Sequence, residues 1–250
     1  MKITFLLFVI LTAIICSTIF AQQNFLSEQR NFPRVRAAIT EKGQSIKENL
    51  QNNGLTINNV HILIIAYKAE KELEIWAKEK KQTVCKLLAD YQIVKSSGIP
   101  GPKRREGDMQ VPEGFYKIDR FNPTSNFHLS LGINYPNQSD RIKSNAKSLG
   151  GDIFIHGSEV TIGCLPMTDD KIKEIYLYAV CAKNNGQNNI PVYIFPFRMT
   201  DDTFNIYKKR YENNQELIDF WTNLKTGYDK FFLEKKSLNT TVDELGNYKF

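Results

Sequence analysis

Along the chain the apolar positions switch between helical and extended spacing. Val35, Ile39, Ile46 and Leu50 fall on one helical face behind Pro33, and Asn52-Asn53-Gly54 stops that run. The residues before it, 22–32, are polar and read as loose. Val60–Tyr67 (VHILIIAY) is a continuous β-branched run, which predicts a buried strand, and His61 within it reads as a core or edge residue. Glu72 to Ala77 alternates about Leu73 and Ile75, so the two runs form a hairpin. Gln82 to Val94 is a third strand-like run and carries Cys85. Ser96 to Glu113 is rich in Pro, Gly and cations and is a loop; VPEGFYKI then sets a turn followed by an aromatic strand. In Asn126–Ile133, Phe127, Leu129 and Leu131 alternate with His128, Ser130 and Gly132. That pattern gives a strand whose polar face either lines a pocket or lies exposed. Tyr135-Pro136-Asn137 turns the chain ahead of Asp140-Arg141.

Further on, Lys171 to Lys183 reads as a helix with Ile172, Ile175, Tyr176 and Ala179 buried, stopped by Asn184-Asn185-Gly186. Pro191 to Phe197 is a final strand. From Thr203 the period is helical again, and Leu217, Phe220, Trp221, Leu224, Tyr228 and Phe231 form an amphipathic stripe that covers the body. The last residues, Asn239 to Phe250, are polar and read as frayed.

The 250 residues are 42% hydrophobic and 24% charged, enough for a substantial core in one medium domain. The formal net charge is +6. No dense Lys/Arg stripe with interleaved aromatics accompanies it, so nucleic-acid binding is not expected. Lys103, Arg104 and Arg105 either hold a substrate carboxylate or form a solvated loop face.

Residues 1–21 have the pattern of a signal peptide: Lys2, an apolar run from Ile3 to Ile15, and Ala21 as a cleavage point before Gln22. Two alternatives are an uncleaved anchor, because the run to Phe20 nearly suffices to span a bilayer, and lipidation of Cys16. Each reading exports the rest of the chain to the periplasm or cell envelope. The chain touches the membrane only if this segment is retained. Cleavage removes Cys16 and leaves Cys85, Cys164 and Cys181, an odd number in an oxidising compartment. Cys85 and Cys181 either pair or sit buried, and Cys164 is the best candidate for a free thiol.

The chemistry concentrates in GGDIFIHGSEVTIGCLPMT. A short β-run, Ile153-Phe154-Ile155, ends in His156-Gly157; Cys164 follows Gly163, and a helical pattern starts near Thr168. A cysteine and a histidine in a Gly-rich loop form a candidate nucleophile and general base. A nearby imidazole and the N–H groups of a helix start would lower the thiol pKa. The N–H groups of Gly163 and Cys164 are candidate oxyanion donors, and the Gly157 carbonyl or the Ser158 hydroxyl is a candidate to orient the imidazole. With three histidines and no Cys-x-x-Cys, a metal site is not expected, nor is any cofactor.

The stretch IHGSEVTIGCLPMTD resembles the catalytic signature of the YkuD-type L,D-transpeptidases, and most of all the YafK-like branch. VPEGFYKI is similar to that family's turn-and-strand signature, and FNPTSNFHLSLGINYPNQSDR to the segment between the two. The resemblance spans roughly Asn59 to Met199. It implies a mainly β (α+β) catalytic domain, a β-sandwich with mixed sheets and a helix after the nucleophile. The expected organisation is a signal peptide (1–21), a helical lead-in (22–58), a catalytic domain (59–199) and a helical C-terminal extension (200–250).

The family implies Cys164 as nucleophile and His156 as general base. Gly157 would orient the histidine or serve the oxyanion, and Gly163 would supply an oxyanion donor. Expected substrate contacts are His128, Ser130, Tyr135, Asn137, Arg141, Ser158 and Thr161. The implied substrate is the stem peptide of peptidoglycan. The thiolate would attack the L-centre carbonyl of the third residue, usually diaminopimelate, and release D-alanine. An amine on another stem, or an envelope lipoprotein, would take the acyl group. The chain departs from many members in having Ile162 where a second histidine stands and a shorter His-to-Cys spacing. Hydrolysis at the same site is the alternative outcome, as an amidase or L,D-carboxypeptidase; a non-catalytic wall-binding module is the second alternative.

Overall fold

The computed structural model describes residues 24–250. The expected signal segment 1–21, with Cys16, lies outside them. A short helix α1 (Asn24–Gln29) and a long helix α2 (Pro33–Asn52) lead into β1 (Val60–Tyr67), β2 (Glu72–Glu79) and β3 (Lys86–Gln92). Then come β4 (Gly114–Asn122), β5 (Ser130–Ile133), α3 (Gln138–Ile142), β6 (Phe154–His156), β7 (Leu165–Pro166) and α4 (Asp169–Asn184). The chain closes with β8 (Pro191–Phe195), α5 (Asp201–Arg210), α6 (Gln215–Glu234), β9 (Thr241–Val242) and β10 (Tyr248–Lys249).

Eight strands join in the order β3-β2-β1-β8-β4-β5-β6-β7. The sheet is mixed: β1 runs parallel to β8 and β6 parallel to β7, and the other pairs are antiparallel. β4 couples the two halves. Its first residues, Gly114–Lys117, pair with β8, and its last, Ile118–Asn122, pair with β5. The architecture is α+β, with the mixed sheet and the helix after the cysteine that were expected.

The unbroken apolar run of β1 has a physical cause, because both faces of this half of the sheet are covered. Ile62, Ile64 and Ala66 join a core with Val35, Leu50, Ile172, Ile175 and Ala179, from α2 and α4. Leu63, Ile65 and Tyr67 join a second core with Phe195, Phe204, Trp221, Leu224 and Phe231, involving α5 and α6. A strand buried on both faces keeps no polar alternation. The second core is aromatic; Phe197 stacks on Tyr207 at 3.9 Å and meets Trp221 edge-on at 5.2 Å.

Several expectations change. Within the segment 22–32, the described residues are not loose. Asn24–Gln29 forms α1, whose Phe25 and Leu26 pack on the core and whose Gln29 accepts a 2.6 Å hydrogen bond from the Tyr176 hydroxyl. Nor does the C-terminus fray. β9 and β10 form a hairpin that buries Tyr248, and Phe250 meets Phe115 at 4.9 Å. Gly227 in α6 makes this possible, because a Cβ there would lie 2.4 Å from the Phe250 ring. Cys85 precedes β3 rather than lying in it; its N–H donates to the Lys235 carbonyl at 2.7 Å. Cys85, Cys164 and Cys181 are all free thiols, so Cys85 and Cys181 do not pair.

The loop 96–113 is held from inside. Glu113 is fully buried, bound to Lys68 Nζ at 2.8 Å, to the Gly101 N–H at 2.6 Å and to the Trp221 indole N–H at 2.9 Å. Lys103 is buried on Asp108 at 2.8 Å, and Arg104 pairs with Asp140 at 3.1 Å. Lys103 is buried and Arg104 half-buried, and each has a carboxylate partner that ties it to the loop.

Candidate active site

β6 ends at His156, and the parallel register pairs Ile155 with Leu165 and His156 with Pro166. Cys164, one residue before β7, therefore lies beside Phe154. Cysteine and histidine sit on neighbouring strands, one ladder step apart, on the face turned away from the α4 core. The other face, with Leu131, Ile155 and Leu165, is buried in that core.

His156 is 1% exposed. Its Nδ1 meets the Gly157 carbonyl at 2.5 Å, which fixes the ring and directs Nε2 to the opposite side. The Phe127 ring lies 4.8 Å from the imidazole, tilted by 33°. Burial lowers the His156 pKa, and the Gly157 carbonyl opposes this. The imidazole is thus neutral near pH 7, the form that can take a proton. Gly157 is required sterically, since a Cβ there would stand 2.6 Å from Asp169 Oδ1 and 2.7 Å from the Phe127 carbonyl.

The thiol of Cys164 donates to the Asp152 carbonyl at 3.6 Å. Among the described residues no hydrogen bond joins it to His156. Burial raises the Cys164 pKa, with the backbone N–H of Phe154 working against it. The helix start contributes little here. α4 begins five residues after Cys164, beyond β7, with Thr168 as its N-cap. The expected lowering of the thiol pKa by a helix start is corrected accordingly: the resting pair is a neutral thiol and a neutral imidazole.

Thr161 organises the turn that carries the thiol. Its Oγ1 accepts from the Cys164 N–H at 2.8 Å and the Gly163 N–H at 3.2 Å, and donates to the Cys164 carbonyl at 2.8 Å. The two N–H groups expected to serve an oxyanion are therefore occupied, a correction to the role expected of Gly163. Gly163 itself has φ +133°, and the Gln110 carbonyl would lie 3.0 Å from a Cβ there. Four non-glycine residues around the site have left-handed backbone: His128 (φ 68°), Asp152 (55°), Ser158 (63°) and Thr168 (72°). Such backbone is costly and concentrates at functional sites.

The other sequence candidates divide. Ser130 is buried and lies directly opposite His156 across β5 and β6. His128 is not on a strand; it occupies the turn before β5, where its carbonyl accepts from Arg34 at 2.7 Å. Arg34 also holds the Ser125 carbonyl, so α2 braces the turn that carries Phe127. The Ser158 N–H donates to Asp169 Oδ1 at 2.8 Å.

Tyr135, Asn137 and Arg141 do not join the site. The Tyr135 hydroxyl is buried on the Leu149 and Lys103 carbonyls. Asn137 caps α3, accepting from the Asp140 N–H and donating to Phe115 O and the Tyr248 hydroxyl. Arg141 is exposed on α3. Among the described residues no group of three or more His, Cys, Asp or Glu could hold a metal ion.

Two residues that sequence reasoning missed share the face of Cys164 and His156. Arg120 pairs with Gly132 and Asn122 with Ser130. The register shift between Ile118 and Arg120 is the reason. Counting in twos from Tyr116 puts Arg120 in the core, whereas the bulge turns it outward and packs the partly buried Phe121 against the core instead.

A cysteine beside a strand that ends in a histidine, with the histidine oriented by a backbone carbonyl, is a candidate nucleophile–base arrangement. The sequence model of the YkuD L,D-transpeptidase catalytic domain matches residues 62–194, and the chain belongs to that family. It is 38% identical over 183 residues to YafK of Escherichia coli (strain K12), whose name places it provisionally among the L,D-transpeptidases; the match spans 72% of this chain and 70% of that protein. YafK of Escherichia coli O157:H7 matches with the same figures. Among solved structures, the helical cell shape determining protein Pgp2 from Campylobacter jejuni aligns at TM-score 0.44 and 17% identity, covering 74% of each chain. Bdellovibrio bacteriovorus Bd1075 aligns at TM-score 0.38 and 20% identity, over 69% of this chain and 63% of that one.

Proposed function

We propose that the protein is an exported cysteine L,D-transpeptidase that acts on peptidoglycan stem peptides in cell-wall cross-linking or remodelling. The observation that carries the reading is the placement of Cys164 beside Phe154 with His156 one ladder step away, its Nδ1 on the Gly157 carbonyl at 2.5 Å. The neutral imidazole takes the thiol proton. The sulfur adds to the carbonyl carbon of the third stem residue, forming a C–S bond. As the C–N bond to D-alanine breaks, the imidazolium returns the proton to the leaving amine. The product is a thioester on Cys164. An acceptor amine attacks it, gives a proton to His156 and frees the thiol. Export is supported by the pattern of residues 1–21.

Because Cys164 donates to Asp152 O in this structure, the S–H must be redirected before His156 can accept its proton. The test is incubation of the purified protein with muropeptides, with and without an amine acceptor, followed by mass spectrometry of the stems. New amide-linked stems support transpeptidation. Free acid under every condition overturns it in favour of a hydrolase. Turnover that persists in Cys164→Ala overturns the nucleophile assignment.

A further inference from the structure

Resting on the functional reading above, we propose that Arg120 is the residue that recognises a carboxylate on the side chain of the acylated stem residue. One row of the sheet carries the argument. Cys164 lies beside Phe154, Phe154 pairs with Gly132, and Gly132 pairs with Arg120. Cross-strand partners project from the same face, so the nucleophile and the guanidinium look onto one surface.

The arginine does not point away along its own strand. Its guanidinium lies 4.9 Å from the Phe154 ring centroid, back toward the nucleophile. Gly132 is the floor that permits this, because a Cβ there would stand 2.9 Å from Arg120 Nε and 3.1 Å from the Phe154 ring. A strand spacing is about 4.8 Å, so a substrate held at Cys164 reaches the guanidinium with an aliphatic side chain of a few methylenes.

Arg120 already holds two carboxylates, which resemble such a ligand. Its Nε binds Asp119 Oδ1, the neighbour in sequence, at 3.1 Å, and its Nη1 binds the Asp152 carboxylate at 2.7 Å; the Asp152 side chain is 79% exposed and is the partner a substrate carboxylate would displace. An exposed pair of this kind is weakly held and exchangeable. The planar guanidinium fork suits a carboxylate. Lys103 is the weaker alternative, since it is 5% exposed and held by Asp108, and Arg104 is held by the buried Asp140.

The experiment uses two stem tetrapeptides with diaminopimelate at the third position, identical except that the distal carboxylate is free in one and amidated in the other. Calorimetric binding is measured on the Cys164→Ala protein with Arg120, Arg120→Gln or Arg120→Lys, and a thermal melt checks folding. The free carboxylate is expected to bind at least about tenfold tighter than the amide, a charge-assisted hydrogen-bond effect. Arg120→Gln should erase that preference, leaving affinity for the amide where it was, and Arg120→Lys should keep part of it. Equal affinity for the two peptides in the Arg120 protein overturns the inference. So does equal weakening of both by Arg120→Gln, which marks a structural role, or no binding of either. D-alanine release by the protein with Cys164 intact is measured in parallel. A carboxylate preference without release keeps this inference and defeats the acyl-transfer reading; release without a preference does the reverse.

Discussion

Replacing Thr161 by valine removes one hydroxyl, nearly preserves shape, and cuts three hydrogen bonds at once. Two are accepted from the Cys164 and Gly163 N–H groups, at 2.8 and 3.2 Å, and one is donated to the Cys164 carbonyl at 2.8 Å. A hydrogen bond contributes about 0.5–1.5 kcal/mol net, and a buried donor left unsatisfied costs about 1–3 kcal/mol. Gly163 is buried, while Thr161 and Cys164 are partly exposed, so water replaces some of what is lost. The expected destabilisation of Thr161→Val is about 1–3 kcal/mol. For a domain of this size that lowers Tm by roughly 3–10 °C. Thr161→Ser keeps the hydroxyl and should lose less than about 1 kcal/mol.

The turn also sets the burial of the sulfur. In the valine variant the thiol pKa should fall toward the ordinary cysteine range as burial relaxes. Alkylation of Cys164 by iodoacetamide should therefore speed up while D-alanine release slows. Circular dichroism melts and timed alkylation with peptide mapping read both effects. The reasoning is refuted if Thr161→Val melts within about 1 °C of the parent and its thiol reacts at the parent rate.

Two other outcomes follow from burial. Burial pushes the Cys85 and Cys181 thiols up to about 11. Burial raises Cys164 too, opposed by the Phe154 N–H and by the charge of Lys103. Only the thiolate reacts, so the Cys164 alkylation rate should still climb past pH ~8.5, where a free thiol is half ionised. Peptide mapping at pH 8 should find label at Cys164 and not at Cys85 or Cys181. Lys68→Met should leave the Glu113 carboxyl short of its cation in a dry site, at a cost of about 3–5 kcal/mol. Denaturant unfolding measures that loss, and the paired change with Glu113→Gln should recover part of it.

The parts legible in the sequence were those with a strong local signal. VHILIIAY could only be a buried strand, and Pro33 and Asn53-Gly54 bracketed α2. The His156-Gly157 and Gly163-Cys164 elements stood out because their spacing and flanking glycines are unusual. What stayed hidden depends on tertiary contacts. Arg120 faces the site only because a bulge shifts β4 by one residue. Asn239–Phe250 looked polar, yet Tyr248 finds Asn137 and Asn223 as partners, and Phe250 finds the gap left by Gly227. Tyr135 and Asn137 lie in a segment that matches the family, and their side chains serve α3 and its neighbours instead of the pocket. Thr161 was expected as a substrate contact, and its part in the turn stayed hidden because no spacing rule shows that a hydroxyl turns back onto the N–H groups two and three residues ahead.

The central claim is that Cys164 carries the acyl group. It is tested most directly by mass spectrometry of the protein after brief reaction with a stem tetrapeptide and an acid quench. The account predicts an adduct equal in mass to the peptide minus D-alanine, mapped to Cys164, absent in Cys164→Ala and slow to form in His156→Gln. Release of D-alanine with no adduct on Cys164, or undiminished release in Cys164→Ala, would contradict it.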